Sequence, residues 1–283
     1  MAELVVHAVG GPVLVQDAGR PGHAAIGVGS SGAADRASYE LGNRLVGNRP
    51  GAAALEVVLG GLEVEVTATT WFVVTGAPTP IDVGGRQEPA GVVLAVRPGE
   101  RVRLGTPATG LRSYLTVRGG IDAPAVLGST ARDTLAGIGR APLSAGDRLR
   151  IGHAVDGDIL TEGLPAPGYS DHPVLRVVRG PRADWIADPD VLTRTRWTVG
   201  KASDRVGLRL TGAHLQLTDP TRQLPSEGAT RGAIQVPPSG EPIVFGPDHP
   251  VTGGYPVVGV VIEKDTDRLA QLRPGETVGF RWV

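Results

Sequence analysis

Short apolar stretches separated by glycine and proline constrain this chain more than any other feature of its sequence. The 283 residues include 42 glycines and 24 prolines. They punctuate stretches of strand length, several with alternating apolar and polar side chains: Leu55–Thr67, Tyr114–Ile121, Asp147–Ile151 and Tyr255–Asp265. Many short strands joined by glycine and proline turns are typical of closed or sandwiched β architectures. The sequence therefore predicts a mainly β protein.

Helical signals occur in two places. Apolar residues recur every four positions between Asp35, a suitable N-cap, and Gly47, which suits a helix C-terminus. Asp188-Pro189 is a pair that starts helices, because proline tolerates the first helical turn. We therefore expect one or two short helices within the β structure.

Two segments of the first half resemble two of the second half at nearly the same offset. Leu59–Thr67 resembles Leu210–Thr218, and Ile81–Pro89 resembles Ile234–Pro242. A duplicated β domain would explain this similarity, and so would the shared vocabulary of strand–turn–strand units.

Proline and glycine cluster in Glu162–Pro173, as they do in many segments that join domains. We predict a boundary there, with an N-terminal β-barrel domain of residues 1–165 and a C-terminal one of residues 166–283.

Charge and composition exclude several classes of protein. The net charge is −1 with 20% charged residues, so nothing attracts the chain to nucleic acid or to a membrane surface. Cysteine is absent, which excludes disulfides and a cysteine nucleophile. No apolar run is long enough to span a bilayer, and no signal-peptide pattern is present. We expect a soluble, cytoplasmic protein with no nucleic-acid or membrane partner.

The glycines Gly27, Gly29 and Gly32 match the GxGxxG turn of dinucleotide-binding folds. That fold needs a strand before the turn and a parallel βαβ unit after it, and neither pattern is present. We predict instead that these glycines shape a bend before the helix. A P-loop, a GxSxG nucleophile elbow and metal-ligand spacing of the six histidines are also missing.

Polar side chains are concentrated in glycine-rich loops. These are Gln16–Gly22, Ser203–Gly212 with Asp204, Arg205 and Arg209, Pro225–Pro242 and Gly246–Pro256. A single loop of this kind is commonly an Asx turn or a surface ion pair. Several of them in one chain favour a polar pocket.

The same stretches resemble a known family over nearly the whole chain, from Gln16 to Phe280. The family is the biotin-dependent carboxyltransferase-domain family. The motifs that carry the resemblance are "QDAGRPGHAAIGVGSSGAADRASYELGNRLVGN", "ALEVVLGG", "YLTVRGGI", "SDRVGLRLTG", "SEGATRGAIQVPPSGEPIV", "VTGGYP" and "LAQLRPGE". The chain departs from the family pattern at His249-Pro250, where two other polar residues are expected.

The resemblance implies two cyclophilin-like β-barrel domains and a role within a complex of several subunits. Its implied activity is that of the C subunit of an ATP-dependent 5-oxoprolinase. Together with the A subunit and a kinase-inhibitor-like B subunit, such an enzyme opens the lactam of 5-oxo-L-proline to L-glutamate. The family also implies two alternatives. One is transfer of a carboxyl group from carboxybiotin to urea or a similar small amide, and the other is non-catalytic regulation of a kinase-inhibitor-like partner.

The cofactors follow from the same resemblance. ATP would be used together with the partner subunits. Biotin is not expected on this chain, because neither of its lysines, Lys201 and Lys264, is flanked by methionine. No metal is expected.

A site for a small amide needs an acceptor for N–H, donors for the carbonyl and stabilisation of negative charge on oxygen. We predict Asp248, Glu227 and Tyr255 as catalytic residues, the two carboxylates as acceptor or base and Tyr255 as a donor to an oxyanion. The predicted substrate-binding residues are Asp17, Arg20, Arg118, Arg205 and Gln235.

Overall fold

The computed structural model describes residues 2–160 and 168–283. The chain divides into two compact units, each assembled from three segments. The N-terminal unit is Met1–Arg20, Ser31–Asp133 and Gly137–Tyr169, and the C-terminal unit is Pro21–Ser30, Thr134–Ala136 and Ser170–Val283. The predicted boundary between residues 165 and 166 lies outside the described residues, so the predicted domain limits stay a prediction.

The described part of the N-terminal unit contains two sheets and one α-helix. Its strands are β1 (Glu3–Ala8), β2 (Val13–Gln16), β3 (Ala54–Val58), β4 (Leu62–Val66), β5 (Thr70–Gly76), β6 (Ile81–Val83), β7 (Arg86–Glu88), β8 (Leu94–Val96), β9 (Arg101–Leu104), β10 (Arg112–Val117), β11 (Ile121–Asp122) and β12 (Arg148–Ile151). The strand order is β11-β12-β1-β4-β9-β6-β7 in one sheet and β2-β3-β10-β5-β8 in the other.

Both sheets contribute side chains to one apolar core. In β4, Leu62, Val64 and Val66 are buried, while Glu63 and Glu65 between them are half-buried. This alternation puts one face of the strand on the core and the other toward solvent. Leu4 from the same sheet and Leu55 from the other belong to the same core.

Helix α1 (Arg36–Leu45) begins where the sequence predicts. Asp35 is confirmed as its N-cap, because the carboxylate accepts hydrogen bonds from the backbone N–H and the hydroxyl of Ser38 at 3.0 and 2.7 Å. The N–H of Asp35 donates to the hydroxyl of Tyr114 at 2.7 Å, which in turn donates to Glu56 at 2.8 Å. Burial raises the pKa of Tyr114, so its hydroxyl stays a donor. The start of α1 is thereby fastened to β10 and β3.

The C-terminal unit contains a closed barrel. The strands of the unit are β13 (Val174–Arg179), β14 (Trp197–Val199), β15 (Gly207–Thr211), β16 (Glu227–Gly228), β17 (Ala233–Gln235), β18 (Ile243–Phe245), β19 (Thr252–Gly253), β20 (Val257–Val261) and β21 (Thr277–Trp282). The barrel runs β13-β20-β17-β18-β15-β14-β21, and β16 pairs with β19. Its interior is apolar and includes Leu175, Trp197, Leu210, Val244 and Phe280.

The mainly β fold class is confirmed, and the prediction for Tyr255–Asp265 needs correction. The strand in that stretch, β20, ends at Val261, and helix α3 (Glu263–Leu269) follows it directly. Helix α2 (Val191–Arg194) is present near Asp188-Pro189, but its N-cap is Asp190. Two 3-10 helices, Ala24–Ile26 and Ala183–Trp185, complete the elements of residues 2–160 and 168–283.

The paired segments of the two halves do not share secondary structure. Leu59–Thr67 contains β4, whereas Leu210–Thr218 holds only the end of β15. Ile81–Pro89 forms the β6–β7 hairpin, whereas Ile234–Pro242 holds only the end of β17. The similarity of these segments is therefore one of strand and turn vocabulary.

The glycine motif has a different environment from a dinucleotide turn. A 3-10 helix, not a strand, precedes Gly27, and Gly27 is the C-terminal residue that caps it. Gly32 has φ +91°, and a methyl group there would lie 2.9 Å from the carbonyl carbon of Ala18. Glycine at position 32 therefore allows two loops of the N-terminal unit to approach closely.

Across residues 2–160 and 168–283, the helices are too short or too polar to cross a lipid bilayer.

Candidate functional site

Asp17 of the N-terminal unit is buried and already accepts four hydrogen bonds. Its Oδ1 accepts from the N–H of Gly19 at 2.8 Å and the hydroxyl of Ser129 at 2.6 Å. Its Oδ2 accepts from the N–H and the hydroxyl of Thr130, at 2.6 and 3.0 Å. The carboxylate therefore joins the loop after β2 to the loop after β11. A substrate contact by Asp17 stays a prediction.

Arg20 is buried to 1% exposure and holds the same loop. Its Nε donates to the carbonyl oxygen of Val126 at 3.3 Å, and its Nη2 donates to the carbonyl oxygen of Ala131. Two of its donors are thus used by backbone in the N-terminal unit.

Arg118 lies at the other end of α1. It donates to the carbonyl oxygen of Val46 at 2.6 Å and to that of Gly157 at 3.0 Å. Val46 is the C-cap of the helix, where the exposed carbonyls carry partial negative charge and favour a cation. In this position Arg118 stabilises the helix end, and its predicted role in substrate binding remains untested.

Arg205 and Asp248 of the C-terminal unit form a buried ion pair. Arg205 Nε lies 2.8 Å from Asp248 Oδ2, and its Nη2 lies 3.0 Å from Oδ1. Thr134 adds a backbone N–H and a hydroxyl to the same carboxylate at 2.8 and 2.7 Å. Asp248 is 0% exposed, so both of these predicted site residues are satisfied inside the protein.

Glu227 is bound by an arginine that the sequence analysis did not select. Arg182 contacts it through Nη2 and through Nε at 3.3 Å, and this hydrogen bonding raises the pKa of Arg182. Strand β16 pairs Glu227 with Gly253 of β19. Glu227 therefore stands beside the loop that carries Tyr255, with its carboxylate directed to Arg182.

Gln235 and Tyr255 come together in one cavity of about 450 Å³ in the C-terminal unit. We call it the barrel-face cavity, because the strand residues that line it belong to the outer face of the barrel. Its polar lining residues are Asp204, Arg209, Gln235 and Tyr255. Its other lining residues are Leu135, Val206, Gly207, Ile243, Phe245, Pro250, Gly253 and Gly254.

Strand register explains why these residues meet. Arg209 of β15 pairs with Ile243 of β18, and Ile243 pairs with Gln235 of β17. Residues directly opposite one another in antiparallel strands point to the same face of a sheet. Their neighbours Leu208 and Val244 point into the barrel core. Arg209, Ile243 and Gln235 therefore form a row across three adjacent strands, outside the barrel.

The amide of Gln235 is held in place by the loop above it. Gln235 is 5% exposed, and its Nε2 donates to the carbonyl oxygen of Tyr255 at 3.2 Å. A methyl group at Gly253 would lie 2.4 Å from that Nε2, so a larger residue there would displace the amide. Within the part of the chain that the structure describes, the Gln235 amide oxygen has no hydrogen-bond partner. The buried amide can therefore accept from a ligand.

Arg209 is the site residue that the sequence analysis named in its loop but did not select. It is exposed, and its guanidinium makes no hydrogen bond or ion pair with any described residue. One signal was available in "GLRLT", since the buried Leu208 and Leu210 place Arg209 on the outer face of β15. Sequence alone could not show what lies across that face.

The lining residues have side chains that can bind an amide group and a carboxylate group of a ligand. Gln235 supplies an acceptor and a donor, the hydroxyl of Tyr255 is a donor, and Arg209 supplies a cation suited to a carboxylate. Ile243 and Phe245 give the cavity an apolar wall. Among the described residues, His, Asp and Glu side chains form no group of three that could hold a metal ion.

Comparisons with known proteins agree with the sequence resemblance. A family model described as "Carboxyltransferase domain, subdomain A and B" matches residues 26–282. The chain is 38% identical to the C subunit of 5-oxoprolinase from Escherichia coli, over 94% of this chain and 86% of that protein. It is 34% identical to the C subunit of 5-oxoprolinase from Haemophilus influenzae, over 95% of this chain and 87% of that protein.

A solved structure shares the fold over almost the whole chain. The crystal structure of K. lactis urea amidolyase superposes with a TM-score of 0.93 and 28% identity, covering 98% of this chain. The match covers 18% of the urea amidolyase chain. This chain is thus similar to one part of a much longer protein.

Proposed function

The chain belongs to the carboxyltransferase domain family, and we propose on that premise that it is the C subunit of an ATP-dependent 5-oxoprolinase. In this role it would open the lactam of 5-oxo-L-proline to L-glutamate together with the partner A and B subunits. The near full-length identity to two proteins named as C subunits of 5-oxoprolinase supports the proposal. We place the protein in the cytoplasm, where ATP is available.

The buried amide of Gln235 is the observation that carries the proposal. A lactam presents one N–H donor and one carbonyl acceptor side by side. The oxygen of Gln235 has no partner among the described residues and can accept from the lactam N–H. Its Nε2 has two hydrogens, of which one is used by the Tyr255 carbonyl, so the other can donate to the lactam carbonyl. A fixed amide is therefore complementary to the substrate.

Addition of water to the lactam carbonyl carbon places negative charge on the oxygen, and that charge leaves the oxygen when the C–N bond breaks and the ring nitrogen takes up the electron pair and a proton. Tyr255 lines the cavity, and in this proposal its hydroxyl donates to that oxygen. Of the three residues predicted to be catalytic, Tyr255 is the one that lines the cavity, and we assign it this role. Asp248 is engaged by Arg205 and Thr134, and Glu227 by Arg182, which makes them supports of the site in this proposal. ATP would be a co-substrate of the assembled complex.

Carboxyl transfer to urea is the second candidate, favoured by the structural similarity to K. lactis urea amidolyase. Urea also presents N–H and C=O groups that the Gln235 amide could bind. In this activity carboxybiotin would come from another chain or domain.

Reconstitution tests the proposal. The chain is mixed with its A and B subunits, 5-oxo-L-proline and ATP, and L-glutamate and ADP are measured. We expect glutamate only when all three subunits are present, and about a tenfold lower kcat/KM for Gln235→Ala, the loss of a hydrogen-bonding side chain. Gln87→Ala, at an exposed position of β7, is the control and should not change kcat/KM.

Absence of glutamate from a mixture whose A and B subunits are active with an authentic C subunit would reject the 5-oxoprolinase proposal. A parallel assay with urea, bicarbonate, ATP and a biotinylated carboxylase tests carboxyl transfer. Product in that assay alone would favour the second candidate.

A further inference from the structure

We infer that Arg209 is the specificity-determining residue of the barrel-face cavity, selecting a small amide that also carries a carboxylate over an uncharged amide. This inference rests on the proposed function for the identity of the substrate. The residue acts through its position and its uncommitted charge. It separates two ligand classes, charged lactams and urea-like amides, that the Gln235 amide alone would bind equally.

Arg209 and Gln235 are spaced so that one small ligand can contact both. The two residues stand in the same row of the sheet, with Ile243 of β18 between them. Adjacent strands are about 4.8 Å apart, so the two backbones are separated by about 10 Å. A five-membered ring lying over Ile243 would therefore have its amide at Gln235 and its carboxylate within reach of the long arginine side chain.

The cavity has an apolar wall beside Arg209. The next row of the sheet pairs Gly207 of β15 with Phe245 of β18. Gly207 has no side chain, and a methyl group there would lie 3.0 Å from Ile243 Cγ2 and 3.7 Å from Phe245 Cδ1. A larger residue at position 207 would therefore crowd the apolar wall beside Arg209. The ring methylenes of a lactam can lie on Ile243 and Phe245, which leaves the polar edge for Gln235 and Arg209.

The charged groups near the cavity differ in whether another group of the protein already binds them. Arg205 is neutralised by Asp248 in the buried pair, so it has no charge to offer. Asp204 also lines the cavity, and its Oδ1 accepts from the N–H groups of Val206 and Gly207 in the turn before β15. Arg209 has no such partner in the described part of the chain. It is therefore the cation left available for a ligand carboxylate, which arginine binds through two parallel hydrogen bonds.

A matched pair of ligands tests the inference. 5-Oxo-L-proline and 2-pyrrolidinone share the lactam ring and differ by the carboxylate. Their binding to the full chain is measured by calorimetry and by chemical-shift changes of the Gln235 side-chain amide. We expect the wild-type chain to bind 5-oxo-L-proline about 10- to 100-fold more tightly than 2-pyrrolidinone, the range of a charge-assisted hydrogen bond. Arg209→Gln should remove this preference and leave the affinity for 2-pyrrolidinone unchanged.

Arg281→Gln is the matched control. Arg281 is an exposed strand residue of the same barrel, on β21, and does not line the cavity. Its substitution removes the same charge and should change neither affinity. Arg209→Lys should restore part of the preference, since the charge returns without the two-point geometry.

The inference would be overturned if the wild-type chain bound neither lactam or bound both equally well. It would also be overturned if Arg209→Gln still preferred 5-oxo-L-proline.

A different experiment, the reconstitution assay, tests the proposed function. If the reconstituted complex makes no glutamate while the preference for the carboxylate persists, Arg209 still selects a charged amide and only the reaction is wrong.

Discussion

Arg205 and Asp248 pair at two points inside the C-terminal unit, with N–O distances of 2.8 and 3.0 Å and almost no exposure of either side chain. Asp248 also accepts two hydrogen bonds from Thr134, so its negative charge is fully compensated. This buried pair is engaged inside the C-terminal unit. It fastens the loop before β15 to the loop after β18, both of which border the barrel-face cavity.

Removing the carboxylate of this pair should destabilise the protein strongly. Asp248→Ala leaves the buried Arg205 guanidinium without its counter-ion, which costs about 3–5 kcal/mol. Thr134→Val removes one hydroxyl donor and should cost about 1 kcal/mol. The free energy of unfolding in urea measures both. Glu3→Gln, at the exposed pair with Arg148, is the control and should cost less than about 1 kcal/mol. A loss for Asp248→Ala no larger than that of the control would contradict the buried-pair interpretation.

Glycine at position 253 should be required for activity and its neighbour should not. In Gly253→Ala the new methyl group would lie 2.4 Å from Gln235 Nε2 and displace the amide that binds the lactam. In Gly254→Ala the nearest atom, the carbonyl oxygen of Leu224, is 3.7 Å away, an ordinary contact. We expect at least about a tenfold loss of kcat/KM in the reconstituted complex for the first variant and no change for the second.

Both glycine variants should unfold at the same urea concentration as the wild-type protein. In Gly253→Ala the flexible side chain of Gln235 moves away from the new methyl group, and in Gly254→Ala the new methyl group makes only an ordinary contact. Equal activities of Gly253→Ala and Gly254→Ala would show that the Gln235 amide is not needed in its observed position.

The N-cap of α1 should contribute measurably to stability. Asp35→Ala removes the acceptor of two Ser38 hydrogen bonds, and we expect a loss of about 1–2 kcal/mol in the free energy of unfolding. Asp35→Asn keeps a side-chain oxygen for the N–H of Ser38 and should lose less. If the two variants were equally stable, the capping hydrogen bond would not be the source of the effect.

The contact between Arg176 and Asp265 should make stability depend on pH. Hydrogen bonds from Arg176 lower the pKa of Asp265 below its ordinary value of 3.8. The folded state therefore favours the carboxylate, and its contribution is present above the unfolded pKa and lost as the pH falls through the folded pKa. The stability difference between the wild-type protein and Asp265→Asn should be largest at neutral pH and shrink as the solution is acidified below 3.8.

Urea unfolding of the two proteins at several pH values measures that difference. Asp156→Asn, at an exposed position, should show no such trend. A difference that stays constant down to acid pH would mean that the Asp265 charge does not stabilise the fold.

Local sequence was sufficient for the class of fold and for α1. Alternating side chains, as in Leu62–Val66, predict strands because one face of each strand is buried. Asp35 predicts the start of α1 because an N-cap side chain binds a backbone N–H only three residues further along the chain. The helix α3 was missed because the apolar run of β20 leads into it without a turn residue. Its boundary depends on packing.

The candidate site was only partly predictable. Gln235 and Tyr255 were selected and line the cavity. Of the two nearby arginines, the selected Arg205 lies in the buried pair, whereas Arg209, which was not selected, lines the cavity. Arg205 is neutralised by Asp248, which lies far along the chain, whereas Arg209 faces a cavity built from β17, β18 and the loop before Tyr255. The alternation around Arg209 places it on the outer face of β15, but no residue near Arg205 in the sequence shows that Asp248 neutralises it.

The sequence by itself determined the mainly β class, the first helix and its cap, and membership of the carboxyltransferase domain family, because these follow from local periodicity and from motifs. The tertiary structure alone decided which polar residues are engaged by distant parts of the fold and which line the barrel-face cavity. Asp17, Arg20 and Asp248 satisfy backbone and side chains from distant loops, and Gln235 and Arg209 share a row of the barrel. The physical reason is that strand register and long-range hydrogen bonds, neither encoded locally, determine what a buried polar group meets.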